Sequence, residues 1–356
     1  MKLGINIGYS GSQMRLPVEH VLQVEAMGYD SVWSAEAYGS DAVTPLAYLA
    51  AKTSRIKLGT AIMQIAARTP ANCAMTATTL DALSGGRMLV GLGLSGPQVV
   101  EGWHGVPYGR PAVRMREYVQ ILRKIWAREG PVQFHGQEYN LPYTGPGATG
   151  LGKPLKSILR GRQLPVYRAT VGPMNIRTTA ELADGWLPIF FSPRHMDLFR
   201  PSLEEGFRRA GNGKSFKDFD IVTGCGVTIT NDLGAAFAAM KPNLALYVGG
   251  MGAREKNFYH DLVTRYGYGD AAGRIQDLYL AGRKAEAEAA VPDELCDELS
   301  LCGPEARVRE RFKVWEDAGA TTLLVNSRQP EALQLMADIT GAGKQVVREE
   351  VGTGTR

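Results

Sequence analysis

Residues 56–92 run IKLGTAIMQIAARTPANCAMTATTLDALSGGRMLVGL, with a strand-forming run from Ile56 to Ile62, a helical pattern from Pro70 to Leu83 and a second apolar run from Arg87 to Leu92. Gly85-Gly86 ends the helix where a left-handed cap is expected, because glycine takes positive φ without a Cβ clash. Two strands joined by one helix form a parallel βαβ unit. Upstream the alternation is already under way: Leu3 to Ile7 (strand), Pro17 to Met27 (helix, followed by Gly28), Ser31 to Ser34 (strand), Pro45 to Lys52 (helix). Downstream, Ala112 to Ala127 is the fourth helix, and β-α units in this series imply a parallel sheet.

The alternation pauses over residues 129–162, a Gly- and Pro-rich insertion in which Phe134 to Tyr139 reads as a small hairpin. It then resumes with the strand Val166 to Ala169, the helix Asn175 to Ala183, the strand Gly185 to Ile189, the helix His195 to Ala210 and the strand Phe219 to Thr230. A long helical region from Leu233 to Ala290 follows, then the helix Glu305 to Ala318 and the strand Thr321 to Val325. Eight strands with intervening helices fit a closed α/β barrel, a (β/α)8 TIM barrel, whose active site lies at the C-terminal strand ends. The expectation is one domain over residues 1–356, with insertions at about 129–162, after the fourth helix, and 247–291, in the seventh helical region.

The net charge of +4 comes from 40 basic and 36 acidic residues spread without a basic block, so no nucleic-acid partner is expected. No signal peptide and no apolar run of about 18 residues is present, which points to a cytoplasmic protein with no membrane partner. Cys73, Cys225, Cys296 and Cys302 form no CxxC pair and read as free thiols. Five histidines without HxH or HExxH spacing give no metal-site pattern.

Gly91-Leu92-Gly93-Leu94-Ser95-Gly96 fits G-x-G-x-x-G after a strand, the fingerprint of a dinucleotide-binding Rossmann unit. Its context departs from that fold: the match follows the fourth strand, Pro97 comes next, no clear helix begins there, and the acid about 20 residues on, Glu117, lies in a helix. In a barrel, the same glycines would let backbone approach a flat ring. A second loop, Ala169 to Asn175, joins a strand to a helix whose free N–H groups could hold a phosphate, with Arg177 adding charge; an ordinary βα turn is the alternative.

Three segments resemble the bacterial-luciferase-like superfamily: Gly28-Tyr29-Asp30-Ser31-Val32-Trp33-Ser34-Ala35-Glu36, Thr53 to Thr60, and Leu80-Asp81-Ala82-Leu83-Ser84-Gly85-Gly86-Arg87. The segment ending Glu101-Gly102-Trp103-His104-Gly105 and the element Glu181 to Trp186 are similar to its deazaflavin-dependent branch, which includes methylenetetrahydromethanopterin reductase. The resemblance implies a barrel that holds coenzyme F420, a 5-deazaflavin, with its ring near the ends of the third and fourth strands and its phosphate on the second glycine loop. The implied contacts are Ala61, Ile62, Met63, Gln64, Gly93, Ser95 and Gly96 around the ring, and Thr170, Val171, Gly172, Pro173 and Asn175 at the phosphate. It also implies a non-proline cis peptide near Ala61-Ile62, and a homodimer.

Two departures shape the chemistry. Dehydrogenase members tend to carry a histidine where this chain has Glu36-Ala37, and the methanopterin reductases tend to carry an acid in the first strand where this chain has Asn6. An amide cannot supply a proton as a carboxylic acid does. Glu36 at a strand end is then the first candidate for proton transfer, with His104 next and Tyr9 and Asp41 behind; a structural carboxylate bonded to loop amides is the other reading of Glu36, and a packing or loop histidine that of His104. The basic run Lys153, Lys156, Arg160 and Arg162 either reaches an anionic cofactor tail or forms a solvated face. These readings give an F420-dependent oxidoreductase acting on a small or medium organic molecule through an activated C=C or C=N bond. An FMN-dependent monooxygenase on the same barrel and a non-catalytic cofactor-binding protein are the competing readings.

Overall fold

The computed structural model describes residues 1–252 and 254–343. Eight strands lie where the sequence places them: β1 (Lys2–Gly8), β2 (Ser31–Ser34), β3 (Lys57–Thr60), β4 (Met88–Gly93), β5 (Val166–Ala169), β6 (Gly185–Leu187), β7 (Asp220–Ile229) and β8 (Thr322–Asn326). Each pairs in parallel with the next, and β8 pairs with β1, so the sheet closes. Closure leaves no sheet edge, and helices including Val18–Ala26, Pro70–Leu83, Pro111–Ala127, Pro173–Leu182 and Glu305–Asp317 cover the outer face.

Side chains alternate across each strand, so two cores form. Leu3, Ile5, Val32, Leu58, Val90 and Val166 face outward into the helix layer. Trp33, Leu89, Tyr167, Leu187, Val222 and Leu324 fill the barrel interior. Trp33 and Tyr167 meet edge to face at 5.1 Å across the barrel. Trp33 fits because Gly59 beside it lacks a side chain: a Cβ there would sit 2.3 Å from the indole. Removing that indole would cost about 3–5 kcal/mol by cavity formation.

The structure departs from the sequence reading in four places. A helix does begin after the glycines, at Pro97–Gly102, because proline is favoured at a helix's first position, where no N–H partner is needed. The long helical region Leu233 to Ala290 resolves into separate helices, Leu233–Ala245, Phe258–Val263, Gly269–Leu280 and Lys284–Ala289, broken by π turns at Leu246–Gly250 and Thr264–Tyr268 and by glycines. The strand Met63–Gln64 pairs with the end of β4, and Ser300–Gly303 pairs with the end of β7. The hairpin in the first insertion is present as Phe134–His135 against Asn140–Leu141. Among the described residues no helix is long and apolar enough to cross a membrane.

Candidate functional site

At the C-terminal end the barrel interior is hollow. Above the buried aromatic layer, the inward and adjoining positions carry small groups: Ala61, Ile62 and Ala169 pack on the interior core and are only partly buried. Gly224 on β7 is exposed although it lies mid-strand, and Asn6 on β1 and Asn326 on β8 are exposed beside it. An exposed glycine inside a closed barrel means that the layer above the core is open to the mouth.

One wall is formed by the ends of β3 and β4. The Ala61-Ile62 peptide bond is cis, as the family resemblance implies. Ile62 lies against Gly93, whose Cβ would sit 2.6 Å from the Ile62 side chain. Ser95, two residues beyond, has φ 60°, and Phe190 beyond β6 has φ 48°. Left-handed backbone at a non-glycine residue costs of order 1 kcal/mol or more, and both examples border the mouth.

Glu36, at the end of β2, does not present a free carboxyl. Its Oε1 accepts the Gln64 N–H at 2.8 Å and Arg68 Nη1–H at 2.5 Å; its Oε2 accepts the Ala42 N–H at 3.0 Å and Arg68 Nη2–H at 2.9 Å. The side chains of Glu36 and Arg68 are 6% and 15% exposed. This is the structural carboxylate bonded to loop amides, strengthened by a two-point guanidinium contact. Asp41 is similarly engaged, accepting the Val43 and Thr44 N–H groups at 2.8 Å each.

Gln64, buried, connects this pair to His104. Its Nε2 donates to Ala37 O at 2.9 Å and to Glu36 O at 3.3 Å, which leaves Oε1 facing His104 Nε2 at 3.3 Å. An amide oxygen only accepts, so this contact assigns the proton to His104 Nε2 and leaves Nδ1 as an acceptor. The half-buried His104 is thus held beside the β3–β4 wall.

The second glycine loop lies on the same end, because it follows β5. Trp186 Nε1 donates to Thr170 O at 2.9 Å, and Thr170 Oγ1 lies 3.2 Å from Thr179 Oγ1, so the loop is tied to strand and helix. Gly172 caps Pro173–Leu182 with no side-chain hydrogen bond, and nothing lies within 4 Å of a Cβ built on it. The first-turn N–H groups at Met174 and Asn175 have no intrahelical partner. Val171 and Asn175 are partly buried and Pro173 is exposed. Immediately before the loop, Arg168 is fully buried on β5 with none of its three guanidinium nitrogens hydrogen-bonded. Burial and the charge of Arg116 lower its pKa to about 10, against the opposing pull of Glu181.

The opposite rim is aromatic and was not foreseen. Phe190, Tyr247 and Tyr259 meet edge to face, with centroids 4.9–6.2 Å apart. Burial raises the Tyr247 phenol and pushes that of Tyr259 to about 12. Tyr9 and Tyr38 stand more exposed at the ends of β1 and β2. The Phe190 turn is fixed by Tyr266 Oη, which donates to Phe190 O at 2.9 Å, and the buried Glu298 accepts from Ser192 Oγ and from Tyr268 Oη. These contacts join segments 30 to 106 residues apart, so local sequence carried no signal for them.

The basic run does not reach the mouth as a unit. Arg162 pairs with Asp81 at 2.9 Å and donates to Gly86 O, at the opposite end of the barrel where β4 begins. Two surface grooves also lie away from the mouth, one between Pro193–Leu198 and Glu305–Asp317 and one around Met1, Tyr29 and Thr321.

Comparison with known proteins gives consistent matches. A family model described as luciferase-like monooxygenase matches residues 4–322. A Mycobacterium tuberculosis protein provisionally named a coenzyme F420-dependent oxidoreductase is 48% identical, over 95% of this chain and 98% of its own. The 5,10-methylenetetrahydromethanopterin reductase of Archaeoglobus fulgidus is 27% identical, over 92% of this chain and 93% of its own. The solved coenzyme F420-dependent tetrahydromethanopterin reductase of Methanopyrus kandleri matches with a TM-score of 0.73 at 25% identity, over 94% of this chain and 97% of that one.

Proposed function

The chain belongs to the luciferase-like monooxygenase family, and from that premise we propose that it is a coenzyme F420-dependent oxidoreductase acting on an activated C=C or C=N bond of a small or medium organic substrate. The observation that carries the reading is the pairing, on one rim, of a small-residue wall with a helix start suited to an anion. Ile62 on Gly93, with Ala61 and Ala169, offers a flat apolar face for a ring. Free N–H groups at Met174 and Asn175 and open space at Gly172 fit a phosphate. When bound, the deazaflavin supplies a ring carbon that donates or accepts hydride.

The chain's own residues do the rest. Ser95 and Gly96 hold the ring's edge, with Met63 and Gln64 buried behind that wall, while Thr170, Val171, Gly172, Pro173 and Asn175 hold the phosphate. His104 exchanges the proton through Nδ1, its orientation fixed by Gln64. Glu36 acts as a positioning residue: it clamps Arg68 and the Gln64 backbone, and so supports the His104 contact. We assign the whole chain to one domain. Exposed Met75, Leu83, Leu155 and Ile158 support a homodimer, and four buried, unpaired cysteines support a cytoplasmic setting.

The test is an anaerobic single-turnover assay with chemically reduced coenzyme F420 and an activated alkene or imine. Oxidation of the coenzyme that needs both protein and acceptor is expected. No oxidation, together with oxygen uptake supported by reduced FMN, would replace this reading with the monooxygenase.

A further inference from the structure

Across the hollow from Ile62, the last inward positions of β1 and β8 are both asparagines. β1 and β8 are in register from Lys2 and Thr322 to Gly4 and Leu324, and continuing that register by two residues puts Asn6 beside Asn326. Both are exposed inside a closed barrel, in the layer that side chains normally fill. Asn6 Oδ1 accepts the Gly8 N–H at 2.8 Å, which leaves its NH2 group free. A Cβ on Gly224 would lie 3.3 Å from Asn326 Nδ2, so that amide reaches over the glycine into the hollow. The neighbouring inward positions on β1, β7 and β8 are Gly4, Val222, Gly226 and Leu324, none of them charged.

We propose that Asn6 and Asn326 hold the carbonyl oxygen of a neutral α,β-unsaturated carbonyl compound, which makes the activated C=C bond of the proposed function a carbonyl-conjugated one; the proposal rests on that function for its hydride source. Two N–H donors match the two lone pairs of one carbonyl oxygen. An amide is too weak an acid to protonate that oxygen, which disfavours reduction of the carbonyl itself and favours conjugate reduction. Hydride bonds to the β-carbon, the C=C pair becomes a double bond between the α-carbon and the carbonyl carbon, and the carbonyl π pair moves to oxygen, where the amides stabilise it. That charge returns as the α-carbon takes a proton from mouth water. The alkene gains two electrons and two hydrogens, and the reduced deazaflavin loses two electrons as hydride. The aromatic rim of Phe190, Tyr247 and Tyr259 receives the apolar body of the molecule.

The test uses the full chain without added cofactor and benzylideneacetone as probe, following the red shift that hydrogen bonding to the oxygen gives its enone band. Wild type should show a saturable shift. N6A and N326A should each weaken binding by about fivefold or more, and the double variant should lose the shift. Binding of β-methylstyrene, which has no carbonyl, should be equal in all four proteins. N326A carries the test alone should N6A, which also removes the Gly8 acceptor, fail to fold. An unchanged shift and affinity in folded N326A would overturn the proposal. Parallel titration with coenzyme F420 separates the two failures. Normal coenzyme binding with an unchanged probe shift removes the amide site and leaves the function; no coenzyme binding in wild type, with the shift lost in the variants, removes the function and leaves the carbonyl site.

Discussion

The Glu36–Arg68 contact makes a prediction that separates a positioning carboxylate from a proton carrier. In Glu36→Gln the side chain keeps its shape and one acceptor oxygen, but its new NH2 group faces donors, since all four of the observed contacts come from N–H groups. Arg68 would keep only Asp41, at 3.9 Å, as a charged neighbour. Removing one partner of a buried pair costs about 3–5 kcal/mol; with Arg68 slightly exposed the lower end applies, so a loss of about 3 kcal/mol is expected. Urea unfolding followed by circular dichroism reads this directly. A double-mutant cycle with Arg68→Gln should return a coupling of about 1–3 kcal/mol, because the second substitution removes the stranded charge. Activity should fall through kcat as the Gln64–His104 contact loosens, with the alkaline limb of the pH-rate profile retained. A variant of unchanged stability that loses the alkaline limb would refute the positioning role and return Glu36 to proton transfer.

Gly172→Asp should weaken coenzyme binding at least tenfold, about 1.4 kcal/mol, by placing a carboxylate where the anion sits; equal affinity in a fluorescence titration would refute the anchor. In Gly91→Ala the new Cβ would sit 1.7 Å from Thr60 O, a backbone atom that cannot rotate away; a loss of about 3 kcal/mol in denaturant unfolding is expected, and a loss under 1 kcal/mol would contradict the close approach of β3 and β4. Burial, with the charge of Arg123 nearby, lowers Lys214 to about 8 against an ordinary 10.5, although Nζ donates to Ala180 O at 2.8 Å and to Ala183 O. Because the unfolded chain then binds more protons between those values, wild-type stability relative to Lys214→Met should rise as pH goes from 8 to 10, by about 1 kcal/mol after allowance for partial exposure; a flat or falling difference would contradict the depressed value.

The barrel was legible because its strands carry short apolar runs and its turns carry obligatory glycines, Gly28 and Gly85 among them, both with positive φ. The second insertion was not, because its apolar pattern continues across Gly249, Gly250 and Gly267, where the helix breaks into π turns. The glycines were the available signal. In the site, the loop positions followed from strand ends, but Glu36–Arg68 and Gln64–His104 link residues 32 and 40 apart, and nothing local marks such pairs. Asn326 could have been found: it continues the inward alternation of β8 from Leu324, a polar residue at the last position before the mouth.

The measurement that tests the account most directly is a side-by-side titration of the purified protein with coenzyme F420 and FMN in one buffer at one salt concentration. The barrel-mouth assignment predicts micromolar or tighter binding of coenzyme F420 that is weakened in Gly172→Asp. Micromolar binding of FMN with no detectable binding of coenzyme F420 would contradict it.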